Sequence, residues 1–344
     1  MKSHKTTKVA VLLATFNGAR YVEAQIKSLS DNVTPFTLHW LDDHSTDNTR
    51  EIVRSAALSA GIELQECHQP QRQGVPGTFF ELIDCVDADI YLFCDQDDIW
   101  QKGKIDATVA NLLPDLSKPV LCFSDPLLFY ENEPEVFYRV SKINRAHVPA
   151  ALKESRCLLC CPATGQSIGL TRPLREMYLR HKNIARKHAF MHSWWMYILA
   201  VAVGEVRLMS DVPTTLYRQH GSNVTTLFYA KNPNFISRIA SKHRAQDTLR
   251  RSLALQSKGF ILASATLPPG PKLQRLLAIA SLVASLDHRQ TPIALARLLL
   301  RRAMWPWWYN QFWLMAICLW SDAKPLAVGL SDQITEPSTA LSNI

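Results

Sequence analysis

The 344-residue sequence contains no Gly-x-x-x-x-Gly-Lys-Ser/Thr loop, which argues against a nucleoside triphosphatase of the phosphate-loop kind. No Gly-x-Gly-x-x-Gly follows its first apolar segment, which argues against a dinucleotide site. Eight cysteines, at 67, 85, 94, 122, 157, 160, 161 and 318, include one C-x-x-C spacing and no matching second pair, so no zinc site is expected. Several lie inside apolar runs, as small buried hydrophobes in a reducing compartment would. No secretory signal is expected either. The apolar core at 9–14 is too short for one, and no small-x-small cleavage site follows it. The chain is expected to begin in the cytoplasm.

What is present describes a folded protein. The chain is 47% hydrophobic and 20% charged, and it is long enough to bury a large core in one long domain or two. Lys and Arg outnumber Asp and Glu by 38 to 30, a net charge of +8 that suits an anionic partner. No recognition motif supports nucleic acid in that role.

In the front half, strands alternate with helices. Residues 8–15 read as a strand closing in Thr15-Phe16-Asn17-Gly18, where the glycine permits a tight turn. Apolar Tyr21, Val22, Ile26 and Leu29 place a helix over 19–29. A strand at 36–41 runs into Asp42-Asp43-His44. The next helix begins near Thr46 or Asp47 and stops before Gly61. Residues 62–67, 90–94 and 120–123 read as strands and 78–86 as a helix. This alternation predicts a largely parallel sheet covered on both faces, with ligands collecting at the carboxyl ends of its strands. Polar groups gather at three such ends: Thr15/Phe16, Asp42/Asp43 and Asp95/Asp97.

The third end is the most demanding. Asp95-Gln96-Asp97-Asp98 crowds three carboxylates into four positions after a buried strand, and like charges so close repel. A hard divalent cation, Mg²⁺ or Mn²⁺, resolves that conflict by taking carboxylate oxygens together with substrate phosphate oxygens. Such an ion acts as a Lewis acid toward a departing diphosphate.

The segments "VLLATFNGARYVEAQIKSL", "WLDDHSTDNTREIV", "YLFCDQDDIWQKGKI" and "LYRQHGSN" resemble the successive motifs of family 2 glycosyltransferases. The "DQDDIW" form resembles a rhamnosyltransferase-like branch of bacterial polysaccharide assembly. The resemblance runs from about residue 8 to residue 223. It implies an α/β fold of the GT-A nucleotide-diphospho-sugar transferase kind, a Rossmann-like mixed sheet with helices on both faces, followed here by a C-terminal helical region. It also implies inverting transfer from a nucleotide sugar. Carried over by motif, Ala14 and Phe16 flank the base, Asp43 hydrogen-bonds it, Asp95 faces the ribose or sugar, and Asp97 meets the metal. Tyr217-Arg218-Gln219-His220 resembles a closing loop, with Arg218 on the donor and His220 near the metal or diphosphate. Thr164-Gly165-Gln166 resembles a turn lining the sugar pocket. The donor implied is a dTDP- or UDP-sugar, with L-rhamnose from dTDP-rhamnose as the sugar of this branch. The acceptor implied is a surface polysaccharide or a polyprenyl-diphosphate-linked chain.

One motif departs from the pattern. The branch carries His-Asp-Trp-Trp on a helix, and its Asp is the general base. This chain reads Met191-His192-Ser193-Trp194-Trp195. A serine hydroxyl cannot serve as the base without its own activator, because efficiency requires a pKa near the operating pH. On a helix Ser193 shares its face with Ala189, Phe190, Met196 and Tyr197, none of which is a base. His192 lies about 100° around it. Three readings stay open. His192, His188 or a distant acid takes the proton; the enzyme is crippled; or the protein binds a nucleotide sugar without transferring it and acts through partners.

In the back third, 235–263 and 272–286 read as helices separated at Pro268-Pro269-Gly270-Pro271. Five of the nine tryptophans then fall within sixteen residues, 305–320, just after Arg301-Arg302. Residues 303–321 carry no charge and are nearly long enough to cross a bilayer. Pro306, Asn310, Gln311 and the tryptophans favour an interfacial helix on anionic lipid over a spanning one, with a buried core helix as the other alternative. The organisation expected is a GT-A domain over 1–230, a helical membrane-association region over 231–330 and a disordered tail over 331–344. The protein is expected to sit peripherally on the inner face of the plasma membrane.

Overall fold

The structure, a computed structural model, describes residues 6–140, 156–212, 214–221, 223 and 235–287. The tryptophan-rich segment and the polar tail lie outside the described residues.

Seven strands form the main sheet: β1 (Val9–Thr15), β2 (Thr37–Asp42), β3 (Glu63–Cys67), β4 (Ile90–Asp95), β6 (Val120–Ser124), β9 (Ile168–Thr171) and β10 (Glu205–Met209). Their order is β10-β6-β9-β4-β1-β2-β3. β4, β1, β2 and β3 run parallel, as does β10 with β6. The short β9 enters antiparallel between β4 and β6, so the sheet is mixed. A second sheet stands beside it in the order β5-β11-β7-β8, built from β5 (Ile99–Trp100), β7 (Leu127–Tyr130), β8 (Glu133–Arg139) and β11 (Thr215–Gln219).

β1 is apolar on both faces because both are covered. Val9, Val11 and Leu13 pack with Val22 and Ile26 of α1 (Val22–Leu29) and Val53 of α2 (Thr49–Ser59). Ala10 and Leu12 share the opposite core with Phe79 and Phe80 of α3 (Gly74–Cys85). α4 (Lys104–Leu112) adds Ile105 and Leu112 to the first of these cores. α5 (Arg172–Leu179) and α6 (Lys182–His188) follow β9, and α7 (His192–Val203) lies buried across the sheet. Eleven of the twelve residues of α7 are buried, so it carries no polar stripe.

The two C-terminal helices, α8 (Phe235–Ala263) and α9 (Pro271–Ala284), send Leu253, Phe260, Leu273, Leu276 and Ile279 into the same core as α7. α8 approaches closely at Gly259, where a Cβ would overlap the His188 side chain and lie 3.4 Å from Trp195.

Two local expectations change. The positive φ in the turn after β1 falls on Asn17, at 46°, not on Gly18; the Asn17 side chain repays it by accepting the Thr46 N–H at 2.8 Å. α3 starts at Gly74, four residues before the expected 78, and Gly74 takes φ 71°, which glycine adopts without strain.

Candidate active site

The four residues from the end of β4, 95–98, point in four different directions. Asp95 ends β4 opposite Ala14 in the register of β1, and its Oδ2 lies 3.9 Å from the point a Gly165 Cβ would occupy. Burial, and then the Asp97 charge, push the Asp95 carboxyl up to about 7. The Gln96 amide reaches back to the main chain of Phe16. The carboxylate of Asp97 lies 2.9 Å from His220 Nε2 and accepts from Asn223 Nδ2 at 3.3 Å. Asp98 is fully buried and accepts the Arg218 backbone N–H at 3.1 Å. Burial first, then Asp97 and Asp95, push its carboxyl well above the usual range.

The sequence Tyr217-Arg218-Gln219-His220, expected as a closing loop, is instead the end of β11 and the residue after it. The antiparallel pairing of β11 with β5 brings Arg218 and His220 to the carboxylates. Arg218 Nε donates to the Asp97 carbonyl at 2.9 Å, and its guanidinium lies 5.2 Å from the Tyr21 ring and 4.9 Å from Phe129. His220 stacks on Tyr21 at 4.5 Å.

At the other end, Asp42 and Asp43 divide their work. Asp42 accepts from Thr15 Oγ1, Ser45 N and Arg50 Nε, tying β1, β2 and α2 together as turn chemistry does. Asp43 is nearly fully buried and accepts from Gln69 Nε2 at 2.5 Å, Gln73 N at 2.8 Å and Gly74 N at 2.9 Å. It thereby caps α3 from a distance, satisfying N–H groups that a helix start leaves open. Arg72 Nε is 3.6 Å from Asp43, and its guanidinium lies 3.7 Å over the Phe16 ring. A cavity of about 270 Å³ at the β2–β3 edge is lined by Trp40, Asp42, Arg50, Arg54 and Glu66 among others, with Arg50 on Asp42 and Arg54 on Glu66. It includes none of residues 95–98.

Gly165 opens the 3₁₀ turn that leads into β9, and His192 opens α7. These two meet: His192 Nε2 is 3.2 Å from where a Gly165 Cβ would sit, so His192 and Asp95 approach the same point. The His192 ring stacks on Phe79 at 4.1 Å and meets Phe93 edge-on at 4.7 Å. Neither ring nitrogen has a partner among the described residues, and burial holds its pKa down at about 3. Extending the helical period back across 189–190 fails because Met191 is extended (φ −140°, ψ 145°) and the helix starts only at His192. Ser193 follows, buried at 6% exposure, with no side-chain hydrogen bond among the described residues. His188 lies in the helical layer, with Nδ1 3.0 Å from the Ile184 carbonyl and its side chain against Gly259. Among the described residues no three His, Cys, Asp or Glu side chains converge to enclose an ion.

Sequence reasoning passed over Gln96, Arg72, Tyr21 and Asn223. Gln96 and Asn223 stood inside quoted motifs, while Tyr21 was hidden in an apolar helical stripe. Nothing local marks Arg72.

The mixed sheet covered by helices on both faces is a fold of the GT-A kind. Residues 10–118 match the model of glycosyl transferase family 2. Over 220 residues the chain is 26% identical to the dTDP-rhamnosyl transferase RfbG of Shigella flexneri, covering 61% of this chain and 72% of that protein. Protein RfbJ of Shigella flexneri is 23% identical over 105 residues, 30% of this chain and 76% of that one. The resemblance to family 2 and its rhamnosyltransferase-like branch is thus borne out. Among solved structures, TarS 1–349 of S. aureus in complex with UDP-GlcNAc aligns with a TM-score of 0.54 at 14% identity, over 88% of this chain and 79% of that one. The mannosyltransferase PcManGT of Pyrobaculum calidifontis, in complex with GDP-Man and Mn²⁺, aligns at 0.53 and 16% identity, over 94% and 88%. These likenesses bear out the fold.

Proposed function

We propose that this protein is a metal-dependent, inverting glycosyltransferase that moves a sugar from a nucleotide diphosphate donor to a surface polysaccharide or polyprenyl-diphosphate-linked acceptor. The observation that carries this is the fan of Asp95, Asp97, Asp98, Arg218 and His220 at the carboxyl ends of the strands. The relative RfbG, by its name a dTDP-rhamnosyl transferase, supports L-rhamnose from dTDP-rhamnose as the donor.

The residues present fit a divalent cation. Burial and Asp97 both disfavour the Asp95 charge, and no basic side chain among the described residues offsets them there. Mg²⁺ and Mn²⁺ need only one or two carboxylates plus phosphate oxygens. Asp97 would hold the ion, with His220 beside it, and the bound ion would neutralise the diphosphate as it leaves. Arg218 offers charge and Asp95 a hydrogen-bond acceptor on the sugar side. Gly165 leaves room for the donor to approach. Phe16, Ala14 and Asp43 would receive the base.

The acceptor hydroxyl attacks the anomeric carbon, its bond to the diphosphate breaks, and the hydroxyl proton needs a base. Here a second reading is favoured by a specific observation. Ser193 stands where the branch has Asp, and His192, at a pKa of about 3, is a poor base at neutral pH. The residues proposed for the donor are present while the proton-accepting position is depleted, as in a slow enzyme or a nucleotide-sugar-binding protein acting through partners.

The test is transfer from dTDP-rhamnose and UDP-sugars, with Mn²⁺, to lipid-linked saccharides, followed by NMR at the anomeric centre. Product with inverted configuration is expected. Retained configuration would sink the inverting mechanism, and donor hydrolysis alone would sink the transferase reading.

A further inference from the structure

One side chain joins the loop after β1 to the carboxylates after β4 and takes no part in the proposed chemistry. Gln96 Oε1 accepts the Phe16 N–H at 2.9 Å, and Gln96 Nε2 donates to the Phe16 carbonyl at 3.0 Å. One amide therefore completes both main-chain groups of one residue, as a neighbouring strand would. Gly18 forms the floor of this socket, since a Cβ there would overlap the Gln96 amide. The positive φ of the turn is carried by Asn17, so glycine at 18 serves close approach and not backbone conformation. Asp97 meets His220 and Asn223, and Asp98 the Arg218 main chain, on the far side of the segment, while Gln96 is the side chain of the segment hydrogen-bonded to Phe16.

We propose that Gln96 is a positioning residue that couples recognition of the base at Phe16 to the carboxylates that meet the diphosphate. This inference rests on the nucleotide-sugar reading above. A base packed on Phe16 orders its main chain, that main chain orders the Gln96 amide, and Gln96 sets Asp95 and Asp97 on either side of it. The site thus takes a nucleoside diphosphate as one unit, with the base strengthening the grip on the diphosphate.

The test is calorimetry with dTDP, UDP and GDP in Mn²⁺, against inorganic pyrophosphate in Mn²⁺ as the probe without a base. Gln96→Met removes both hydrogen bonds at similar volume. It is expected to shrink the advantage of the preferred nucleotide over pyrophosphate by about ten-fold, the scale of one or two net hydrogen bonds. A merely structural role would lower both affinities together and leave their ratio alone. Gly18→Ala tests the same link without touching Gln96. The atom in its way is the far end of a flexible side chain, so the fold yields by expelling the amide and the same loss is expected. In a Gln96→Ala background Gly18→Ala should add nothing, a coupling that a double-mutant cycle reads directly. Ligand-free melting curves show which variants are folded. An unchanged ratio in Gln96→Met, or a Gly18→Ala loss that persists in full in the Gln96→Ala background, overturns the proposal. If the folded wild type binds none of the three nucleotides, the nucleotide-sugar reading fails and takes this inference with it. If the wild type binds and the variants keep its ratio, the inference fails alone.

Discussion

Asp95 illustrates at the scale of one residue how function costs stability. Its folded pKa is raised to about 7 by burial and by Asp97, so the folded state holds a proton that the unfolded chain releases near pH 4. Stability from this group is therefore present below about pH 4 and lost as pH rises toward 7. In chelator, Asp95→Asn should melt higher than the wild type at pH 8, by several degrees, with the gap closing toward pH 4. An equal gap at both pH values would show that the Asp95 charge is not strained. Ser193 makes a second prediction at this scale. Ser193→Asp should raise turnover by about 10²-fold or more, the contribution of a general base, with donor affinity unchanged. Unaltered or reduced turnover in a folded variant would point to a rearranged site in which the serine belongs. Which residues could be seen in advance follows from where their signal lies. Asp95 and Asp97 announce themselves because three acids after a buried strand have few structural reasons to exist. Arg72 reaches Phe16 only through the fold, and nothing in its neighbours in sequence says so. The face drawn for Ser193 through Ala189 and Phe190 does not exist, because the backbone at Met191 is extended and the helix starts only at His192.

At the scale of elements, the helix that closes the molecule depends on one small residue. α8 crosses α6 at Gly259, where even a Cβ would meet His188, and Trp195 of α7 lies just beyond. Gly259→Val should destabilise the protein by about 1–3 kcal/mol, as overpacking does, and thermal unfolding measures it. A melting temperature equal to the wild type's would mean that α8 does not dock there. The same scale separates the legible elements from the rest. β1, β2 and β4 are apolar runs ended by polar turns, and α1 and α2 carry helical periods, so all five stand out within a few residues of their true ends. β5 has two residues and β9 four, too short for any period. In the side sheet β11 pairs with β7 across about 90 residues, Leu127 with Leu216 and their neighbours, which no local window contains. That sheet carries Arg218 to Asp97, so the half of the site it positions was visible only as a motif.

For the molecule as a whole, α8 and α9 bury their apolar faces in the core shared with α7, and among the described residues no helix is long and apolar enough to cross a membrane. The membrane contact we propose rests on the sequence of residues 293–320, where Arg301-Arg302 precede five tryptophans. Flotation should show binding to anionic vesicles that weakens with salt and falls in the Arg301→Glu/Arg302→Glu variant. Equal recovery on neutral and anionic vesicles would remove lipid charge from the account. We propose that the carboxylates at the end of β4 hold a nucleotide sugar through a divalent cation. Calorimetry of the full chain with dTDP-, UDP- and GDP-sugars, with and without Mn²⁺, tests it most directly. Metal-dependent binding of one donor, abolished by Asp97→Ala, is expected; binding of none, or binding indifferent to both the metal and Asp97, would overturn that proposal.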